Sequence, residues 1–279
     1  FFLEDAGNFA VDGLTSTSGP LVIIPFFSRR IGISDDRKTV DIVGGGKLSG
    51  RAGPYRIGMM SVQTQNRGRV PGENFSIIRV KRNILQKSSI GFVATRRTPE
   101  RGEATGLAGP DFRYSTELAG NKNLEFSSFF LRSFIPGSTK NLAWGSQISL
   151  PNDTWSIFGT YREVQEDFDA TMGFVPRKGI RRFGWFLQYA PRPDLWQTRQ
   201  VSCAFDGNYF ADPDTGTLLT RNVNFPCDWR FDSGDIVRFQ TIETFERLQD
   251  NFDISDGVTI PPGDYLFRRQ RVEFDSADK

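Results

Sequence analysis

Residues 200–229 read QVSCAFDGNYFADPDTGTLLTRNVNFPCDW and carry the clearest structural signal in the chain. Apolar side chains occupy alternate positions on both sides of Asp212-Pro213-Asp214-Thr215-Gly216, which matches the two-residue period of a β-strand. That central stretch is a turn signal, because proline fixes φ and glycine accepts a positive φ. The segment therefore predicts a β-hairpin. Its apolar face holds Val201, Cys203, Phe205, Tyr209, Leu219, Val223, Phe225, Cys227 and Trp229, and its polar face holds Ser202, Asn208, Asn222 and Asn224.

The two cysteines of the chain, Cys203 and Cys227, lie on the same predicted face of this hairpin. If the turn centres near Asp214 or Thr215, residues whose numbers sum to about 430 face each other, and the two cysteines meet that condition. Opposed cysteines can form a disulfide where the strands place them at a non-hydrogen-bonded pair. A pair of free buried thiols is the alternative. A disulfide would also require an oxidising compartment.

The same unit, a stretch of about ten residues with alternating character followed by a turn cluster, recurs along the whole chain. Helical periodicity is nearly absent, so the sequence predicts an all-β protein. The predicted strands cover residues 38–43, 55–63, 75–82, 89–96, 111–118, 124–134, 142–150, 154–165, 180–189, 197–209, 218–229, 235–248 and 265–274.

The composition agrees with an all-β chain and excludes several kinds of site. The 279 residues contain 26 Phe, 28 Gly and 15 Pro, which is typical of strands joined by many turns. The absence of histidine excludes His-dependent catalytic triads, His-ligated zinc and a histidine pH switch. With 35 basic and 33 acidic residues the net charge is only +2, which gives no argument for nucleic-acid binding. No apolar run approaches the roughly 18 residues that a membrane-spanning helix needs.

Strand length separates two all-β classes that share this alternation. A soluble β-sandwich uses strands of about five or six residues, whereas a membrane-crossing strand needs about 9–11. Many predicted strands reach the longer figure, and the connections alternate between tight turns and long polar loops, as in outer-membrane barrels. The sequence therefore predicts a single domain over residues 1–279. Its predicted fold is a transmembrane antiparallel β-barrel of the outer-membrane type, an incomplete part of a larger barrel.

In such a barrel the large aromatic side chains have predictable places. Indole rings prefer the level of the lipid headgroups, so four tryptophans are expected near the ends of the apolar band: Trp155, Trp185, Trp196 and Trp229. Five phenylalanines are expected to face lipid: Phe126, Phe130, Phe183, Phe205 and Phe225.

Several motifs in the first 190 residues occur in an order that is found in one protein family. They are Phe1-Phe2-Leu3-Glu4, the stretches at 26–32, 44–53 and 71–75, the strand through Arg79, Lys81 and Arg82, and Gly173-Phe174-Val175-Pro176-Arg177 ahead of Arg181-Arg182. As a set they resemble the DUF5916 family, whose members are carbohydrate-binding family 9 domain-containing proteins of Gram-negative bacteria. The resemblance covers residues 1 to about 190.

The resemblance implies a membrane-associated β-barrel domain in the cell outer membrane. In the family this domain commonly follows a carbohydrate-binding, family-9-like β-sandwich, which the resemblance places outside this chain. It also implies that the barrel continues beyond these residues. The family has no established catalytic residues, so the resemblance transfers no enzymatic role. The sequence gives no reason to expect a cofactor or a metal site.

Two motifs suggest chemistry that the spacing does not support. The glycine-rich stretch Gly44–Gly50 lacks the Gly-Lys-Ser/Thr order of a phosphate-binding loop and is not followed by a helical pattern, so it predicts a strand bend or a close backbone approach. Glu163, Glu166, Asp167 and Asp169 cluster in one predicted loop. Paired carboxylates perform glycoside hydrolysis, but a solvated loop is the simpler interpretation of this cluster.

Basic residues on predicted polar faces or near strand ends are the remaining candidates for a site. Arg79 and Lys81 leave the same side of one strand, and that side is predicted to face inward because a cation facing hydrocarbon is costly. Such residues either pair with interior carboxylates or attract anionic solutes to a pore. Rim arginines could also contact lipopolysaccharide phosphates. The candidate lumen or rim residues are Arg51, Arg79, Lys81, Arg82, Arg162 and Arg182.

Three functions are consistent with these observations. The first is a non-enzymatic outer-membrane barrel that acts as a pore, transport or anchoring element, with a link to glycan handling. The second is a structural subunit of a larger outer-membrane assembly without an open channel. The third, from another class, is a soluble extracellular β-sandwich that acts on carbohydrate. The expected partners are outer-membrane lipid or lipopolysaccharide, other envelope proteins and glycans, and nucleic acid is not among them.

Overall fold

The computed structural model describes residues 6–14, 23–34, 38–66, 70–118, 122–255 and 257–277. Helical structure in these ranges is limited to two short 3-10 segments, Ala6–Phe9 and Ser28–Arg30. The described residues include no helix that is long and apolar enough to span a membrane. The strands are β1 (Ile42–Ala52), β2 (Tyr55–Thr64), β3 (Glu73–Ile84), β4 (Ser88–Pro99), β5 (Thr105–Leu118), β6 (Lys122–Phe134), β7 (Leu142–Pro151), β8 (Trp155–Val164), β9 (Ile180–Tyr189), β10 (Thr198–Ala211), β11 (Leu218–Phe231), β12 (Ile236–Leu248), β13 (Phe252–Ser255), β14 (Val258–Ile260) and β15 (Gly263–Asp275).

Thirteen strands form one antiparallel sheet in the order β1 to β12, followed by β15. Each strand therefore pairs with its neighbours in the chain, except that a separate hairpin of β13 and β14 is inserted before β15. The all-β class predicted from the sequence is confirmed. Among the described residues β1 and β15 each have one partner in the sheet, so the sheet is not closed into a barrel.

The connections between the strands alternate in length along the chain. Those that follow odd-numbered strands are mostly short, as at 53–54, 85–87, 152–154 and 232–235, although the connection at 190–197 is longer. Those that follow even-numbered strands are longer, as at 135–141, 165–179 and 249–262. Because consecutive strands are antiparallel, short and long connections leave opposite ends of the strands.

Two strand predictions were wrong in position. The first long strand is β1, which includes the glycine-rich stretch, and residues 38–41 precede it. The fifth strand begins at Thr105 rather than near Asp111. Both errors come from glycine, which gives no alternating pattern to read. At Gly109 a Cβ atom would lie 1.9 Å from the carbonyl oxygen of Phe130, so the close approach of the neighbouring strand requires glycine.

The chain divides into two compact units. Unit 1 comprises Phe1–Thr116, Phe126–Ser146 and Glu163–Gly179. Unit 2 comprises Glu117–Glu125, Gln147–Arg162 and Ile180–Lys279. Strands β1 to β4 thus belong to unit 1, and strands β9 to β15 belong to unit 2.

The hairpin predicted from residues 200–229 is formed by β10 and β11. Its turn is held by the Asp212 carboxylate, whose Oδ1 accepts hydrogen bonds from the backbone N–H groups of Asp214 (3.0 Å) and Thr215 (2.7 Å). A register shift at Phe210–Ala211 lies just before this turn. The predicted pairing is correct beyond the shift, since Asn208 lies opposite Asn222.

Cys203 and Cys227 lie directly opposite each other and form a disulfide, with Cα atoms 4.1 Å apart. This separation is close to the value of about 4.5 Å for a non-hydrogen-bonded pair, which is the arrangement that the prediction required. The predicted disulfide is therefore confirmed, and the alternative of two free thiols is wrong. Tyr189 and Phe239 flank the bond on the adjacent strands, opposite Cys203 and Cys227 respectively.

Removal of the disulfide should lower the stability of the protein. The two cysteines are 24 residues apart, and the chain-entropy model values a loop of this size at about 3 kcal/mol. We expect the double variant Cys203→Ser, Cys227→Ser to lose up to that amount in its free energy of unfolding, measured by denaturant titration. Wild-type protein treated with reductant is the control and should match the variant. Two alkylated thiols in native protein, found by intact-mass measurement without reductant, would contradict the assignment.

Candidate functional site

The strands of unit 1 present two chemically different faces. Successive residues fall on opposite sides of a strand, so that Ile77 is 3% exposed while Ile78 is 37% exposed. The covered face of unit 1 holds buried side chains, among them Met60, Val62, Phe75, Ile77, Arg79, Val93, Leu107, Phe129 and Leu131. The apolar face of unit 1 leaves large side chains exposed, among them Met59, Ile78, Ile90, Phe92, Phe130 and Phe134.

Unit 2 also presents two chemically different faces. Its apolar face exposes Trp155, Ile157, Phe183, Leu187, Tyr189, Phe205, Phe225 and Phe239. Its polar face holds Arg182, Ser202, Asp206, Asn208, Asn222, Asn224 and Gln240. The predicted orientations agree with this arrangement: Phe183, Phe205 and Phe225 are each 44–45% exposed.

Of the four tryptophans predicted near the ends of the apolar band, three lie near strand ends and one does not. Trp155 begins β8, and its ring packs on Tyr189 with centroids 4.5 Å apart. Trp196 precedes β10 and stacks on Trp229, near the end of β11. Trp185 lies in the middle of β9 against Phe205, 5.8 Å between ring centroids, because the opposed Gly207 leaves room for the indole.

The most buried polar contact of unit 1 is an ion pair between Arg79 and Asp111. Both side chains are almost fully buried, and the guanidinium donates from both Nη atoms to the two carboxylate oxygens, at 2.5 and 2.7 Å. Arg79 is on β3 and Asp111 on β5, so the contact crosses β4 at Gly91. A Cβ atom on Gly91 would lie 2.3 Å from Nη1 of Arg79, which means that only glycine leaves space for this pair.

The ion pair also holds a segment from the start of the chain against the covered face. Nε of Arg79 donates to the carbonyl oxygen of Ala10 (3.1 Å), and the backbone N–H of Asp12 donates to Asp111 (2.9 Å). The Asp12 carboxylate then accepts from Nζ of Lys81 at 2.6 Å and from the Ser89 hydroxyl at 3.1 Å. We refer to Arg79, Asp111, Asp12, Lys81 and Ser89 as the buried ion-pair cluster.

Two segments of the chain cover this face of unit 1. Phe9, Val11 and Leu14 of the N-terminal segment (residues 6–14) are buried. Phe168 and Met172 of the 165–179 loop are 0% and 1% exposed. A bridge between Ile24 and Phe174, with N–H···O distances of 2.9 and 2.8 Å, joins this loop to the region after the N-terminal segment. The covered face is therefore filled by the protein itself.

The polar face of unit 2 carries a chain of side-chain hydrogen bonds across neighbouring strands. Nε2 of Gln240 donates to Asn224 (3.0 Å), whose Nδ2 donates to the Asp206 carboxylate (3.0 Å). Farther along the strands Nε of Arg182 donates to Oδ1 of Asn208 (2.9 Å). Through these contacts the polar side chains find hydrogen-bond partners on neighbouring strands, as buried or half-buried polar groups require.

The six basic residues predicted from the sequence do not form one site. Arg79 and Lys81 pair with carboxylates of the buried ion-pair cluster. Arg51 is exposed on β1 opposite Arg56, and Arg82 is exposed with its guanidinium 5.5 Å from the centroid of the Tyr55 ring. Arg162 and Arg182 are both buried in unit 2, each 3% exposed.

The carboxylates of the 165–179 loop are used in local contacts. Asp167 accepts hydrogen bonds from the backbone N–H groups of Lys140 and Thr139, both 3.0 Å, and these bonds lower the pKa of its carboxyl. Asp169 lies 3.4 Å from Nζ of Lys178, and Glu166 lies 3.9 Å from Nζ of Lys140. In the described part of the chain no group of acidic or cysteine side chains is arranged to hold a metal ion.

The sequence did not identify the acidic partners in the buried cluster. Asp12 lies in a region with no strand pattern, and Asp111 was placed at the start of a predicted strand rather than in its interior. The glycines at 91 and 109 were the available signals, since an isolated glycine in a strand marks a close approach. That signal does not specify which side chain makes the approach.

No protein-family profile, no curated protein and no solved structure matches this chain. The resemblance to the DUF5916 family therefore stays a prediction, and the geometry of the two faces is the basis for a functional proposal.

Truncation of Arg79 should be strongly destabilising. The variant Arg79→Met leaves the Asp111 carboxylate buried without its cation, and loss of one partner from a buried pair costs about 3–5 kcal/mol. The second substitution Asp111→Leu should restore part of this loss, because it removes the stranded charge. Denaturant unfolding measures both changes in the free energy of unfolding. The matched control is Arg82→Met on the exposed surface of the same strand, with an expected effect within about 0.5 kcal/mol. Equal losses of stability in Arg79→Met and Arg82→Met would contradict a special role for the ion pair.

The Asp167 contacts predict a pH-dependent contribution to stability. Its pKa is lower in the folded protein than in the unfolded chain, so the contribution is present above the unfolded value of about 3.9 and is lost as the pH falls through the folded value. We expect Asp167→Asn to unfold at a lower denaturant concentration than wild type at pH 7, and at the same concentration once both side chains are neutral at low pH. The control is Glu166→Gln, because the native Glu166 carboxylate contacts only Nζ of Lys140, at 3.9 Å. A difference between Asp167→Asn and wild type that persists unchanged at low pH would contradict this explanation.

Proposed function

We propose that this chain is a non-enzymatic, membrane-embedded element of an outer-membrane β-barrel protein, and that it serves as an anchor rather than as an open pore. The observation that carries the proposal is the apolar face in each unit. Phe92, Phe130, Phe183 and Phe205 are 44–47% exposed, and they belong to sets of exposed large side chains on many strands. Soluble monomers rarely expose apolar surface on this scale, whereas a lipid-facing sheet requires it.

The length of the strands supports a membrane location. The thirteen strands of the main sheet have 10 to 14 residues each. A tilted strand needs about 9–11 residues to cross the hydrocarbon region, and soluble strands are usually about half as long as these. The alternation of short and long connections is a second feature of outer-membrane barrels.

The covered face of unit 1 favours an anchor over a pore. Apolar side chains from the N-terminal segment and the 165–179 loop are buried there, and the two basic residues proposed for solute selectivity, Arg79 and Lys81, are bound to carboxylates. A cation that is paired with a carboxylate has less effect on the passage of ions than an unpaired one. The proposed partners are accordingly outer-membrane lipid or lipopolysaccharide, and the link to glycans depends on the family resemblance alone.

A structural subunit of a larger outer-membrane assembly is the second candidate, and the free edges of β1 and β15 favour it. In hydrocarbon every backbone N–H and C=O group needs a partner, so these edges must pair with further strands of the same protein or of another envelope protein. Stable co-purification with another envelope protein, lost when edge pairing is blocked by proline in β15, would support this candidate.

Lipid contact can be tested at two adjacent positions of β9. Leu187 is 42% exposed on the apolar face, and Gln188 on the polar face donates to the Ser202 hydroxyl at 2.6 Å. With the native disulfide kept oxidised, Leu187→Cys and Gln188→Cys are each labelled with bimane and reconstituted into vesicles. We expect doxyl-labelled lipid to quench the fluorophore at position 187 much more strongly than at position 188.

Equal, weak quenching at both positions would contradict the membrane assignment and favour a soluble sheet covered by protein. The same preparation in planar bilayers separates the anchor from the pore. We expect insertion without discrete conductance steps, and reproducible steps would overturn the anchoring role.

A further inference from the structure

A groove of about 530 Å³ lies on the apolar face of unit 1. Its floor is made of small residues, since Ala94 lies opposite Ala108 and Gly106 lines the groove two residues before Ala108. Larger apolar side chains line it as well, namely Met59, Ile78 and Phe134. The volume falls within the range of about 300–1,000 Å³ that is typical of ligand sites. The small residues of β4 and β5 therefore leave a depression in a face that is otherwise built of large side chains.

One arginine lines this groove, and a second lies beside one of its lining side chains. Arg96 lines it directly and is exposed on β4. Arg132 is exposed on β6, and its guanidinium lies 5.8 Å from the centroid of the Phe134 ring, which lines the groove. Neither arginine forms an ion pair with a carboxylate among the described residues. In contrast, Arg97 next to Arg96 donates to both oxygens of Glu73, each at 2.8 Å.

The position of the two arginines indicates what would neutralise them. Arg96 is three residues from the end of β4, and Arg132 is two residues from the end of β6. Both strand ends lead into connections, at 100–104 and 135–141, so in a membrane these guanidinium groups would lie near the headgroup level. An unpaired arginine is costly deeper on a lipid-facing surface, whereas near the interface it can bind a phosphate in the bidentate manner that its geometry favours.

We infer that the groove is a binding site for one phosphate-bearing anionic lipid, with Arg96 and Arg132 on the phosphate and an acyl chain against Ala94 and Ala108. The inference rests on the proposed membrane location and specifies a lipid class and a site for it. The charge of the headgroup complements two cations that have no carboxylate partner in the described structure, and the apolar floor complements the chain.

The test counts lipids retained by the full-length protein in native mass spectrometry, after release from detergent that contains a phosphate-bearing lipid, phosphatidylglycerol. We expect wild type to retain one molecule, and the double variant Arg96→Gln, Arg132→Gln to bind it at least about tenfold more weakly, since charge-assisted contacts are the strong ones. Ala94→Phe should also weaken binding, because it fills the floor with an apolar side chain that leaves the face suited to lipid. The matched control is Arg82→Gln, which removes an exposed arginine of β3 that does not line the groove.

Three outcomes would overturn the inference. One is equal retention by wild type and by all variants. Another is retention of zwitterionic phosphatidylcholine as strongly as phosphatidylglycerol by wild type. The third is displacement of the lipid by millimolar inorganic phosphate with no effect of Ala94→Phe, which would show an anion site that does not bind a chain. Failure of doxyl-labelled lipid to quench the fluorophore at position 187 would instead refute the membrane location itself. A failure of the lipid site and a failure of the proposed function are therefore distinguishable.

Discussion

The structure depends on one constraint, which is that a β-strand must hydrogen-bond its backbone to both neighbours while its side chains alternate between two faces. Thirteen long strands repeat this arrangement in one sheet, so each unit has two chemical surfaces to satisfy at once. One surface is apolar and exposed in both units. The other is filled by the chain in unit 1 and hydrogen-bonded across the strands in unit 2. The functional proposals follow from this difference between the faces.

Within unit 1 the covered face is organised around charge rather than around apolar packing alone. The pair of Arg79 and Asp111 is dry, and desolvation of two charges is favourable only where the geometry is good and the remaining donors have partners. The backbone of Ala10 and Asp12 supplies those partners, which ties the position of the N-terminal segment to the ion pair. A face that the chain itself covers in this way agrees with an anchoring role better than with conduction.

Arginines are used in two contrasting ways in this chain, and the contrast locates the candidate lipid site. Arg79 is neutralised by the Asp111 carboxylate, and Arg182 donates a hydrogen bond to the amide oxygen of Asn208, so both serve the fold. Arg96 and Arg132 lie on the apolar face beside a groove, with no ion pair to a described carboxylate. A cation in that position requires an anion from the surroundings, and the lipid headgroup is the nearest source in a membrane.

The sequence by itself determined the all-β class, the hairpin of β10 and β11, the disulfide and the faces of Phe183, Phe205 and Phe225, because each follows from local alternation around a recognisable turn. It did not determine the start of β1 or β5, where glycine hides the alternation. Only the tertiary structure decided which carboxylates meet Arg79 and Lys81, that two segments cover unit 1, and that small residues on β4 and β5 form a groove. Those features join residues far apart in the chain, and period-2 patterning specifies the side of a strand but not the side chain that will lie across from it.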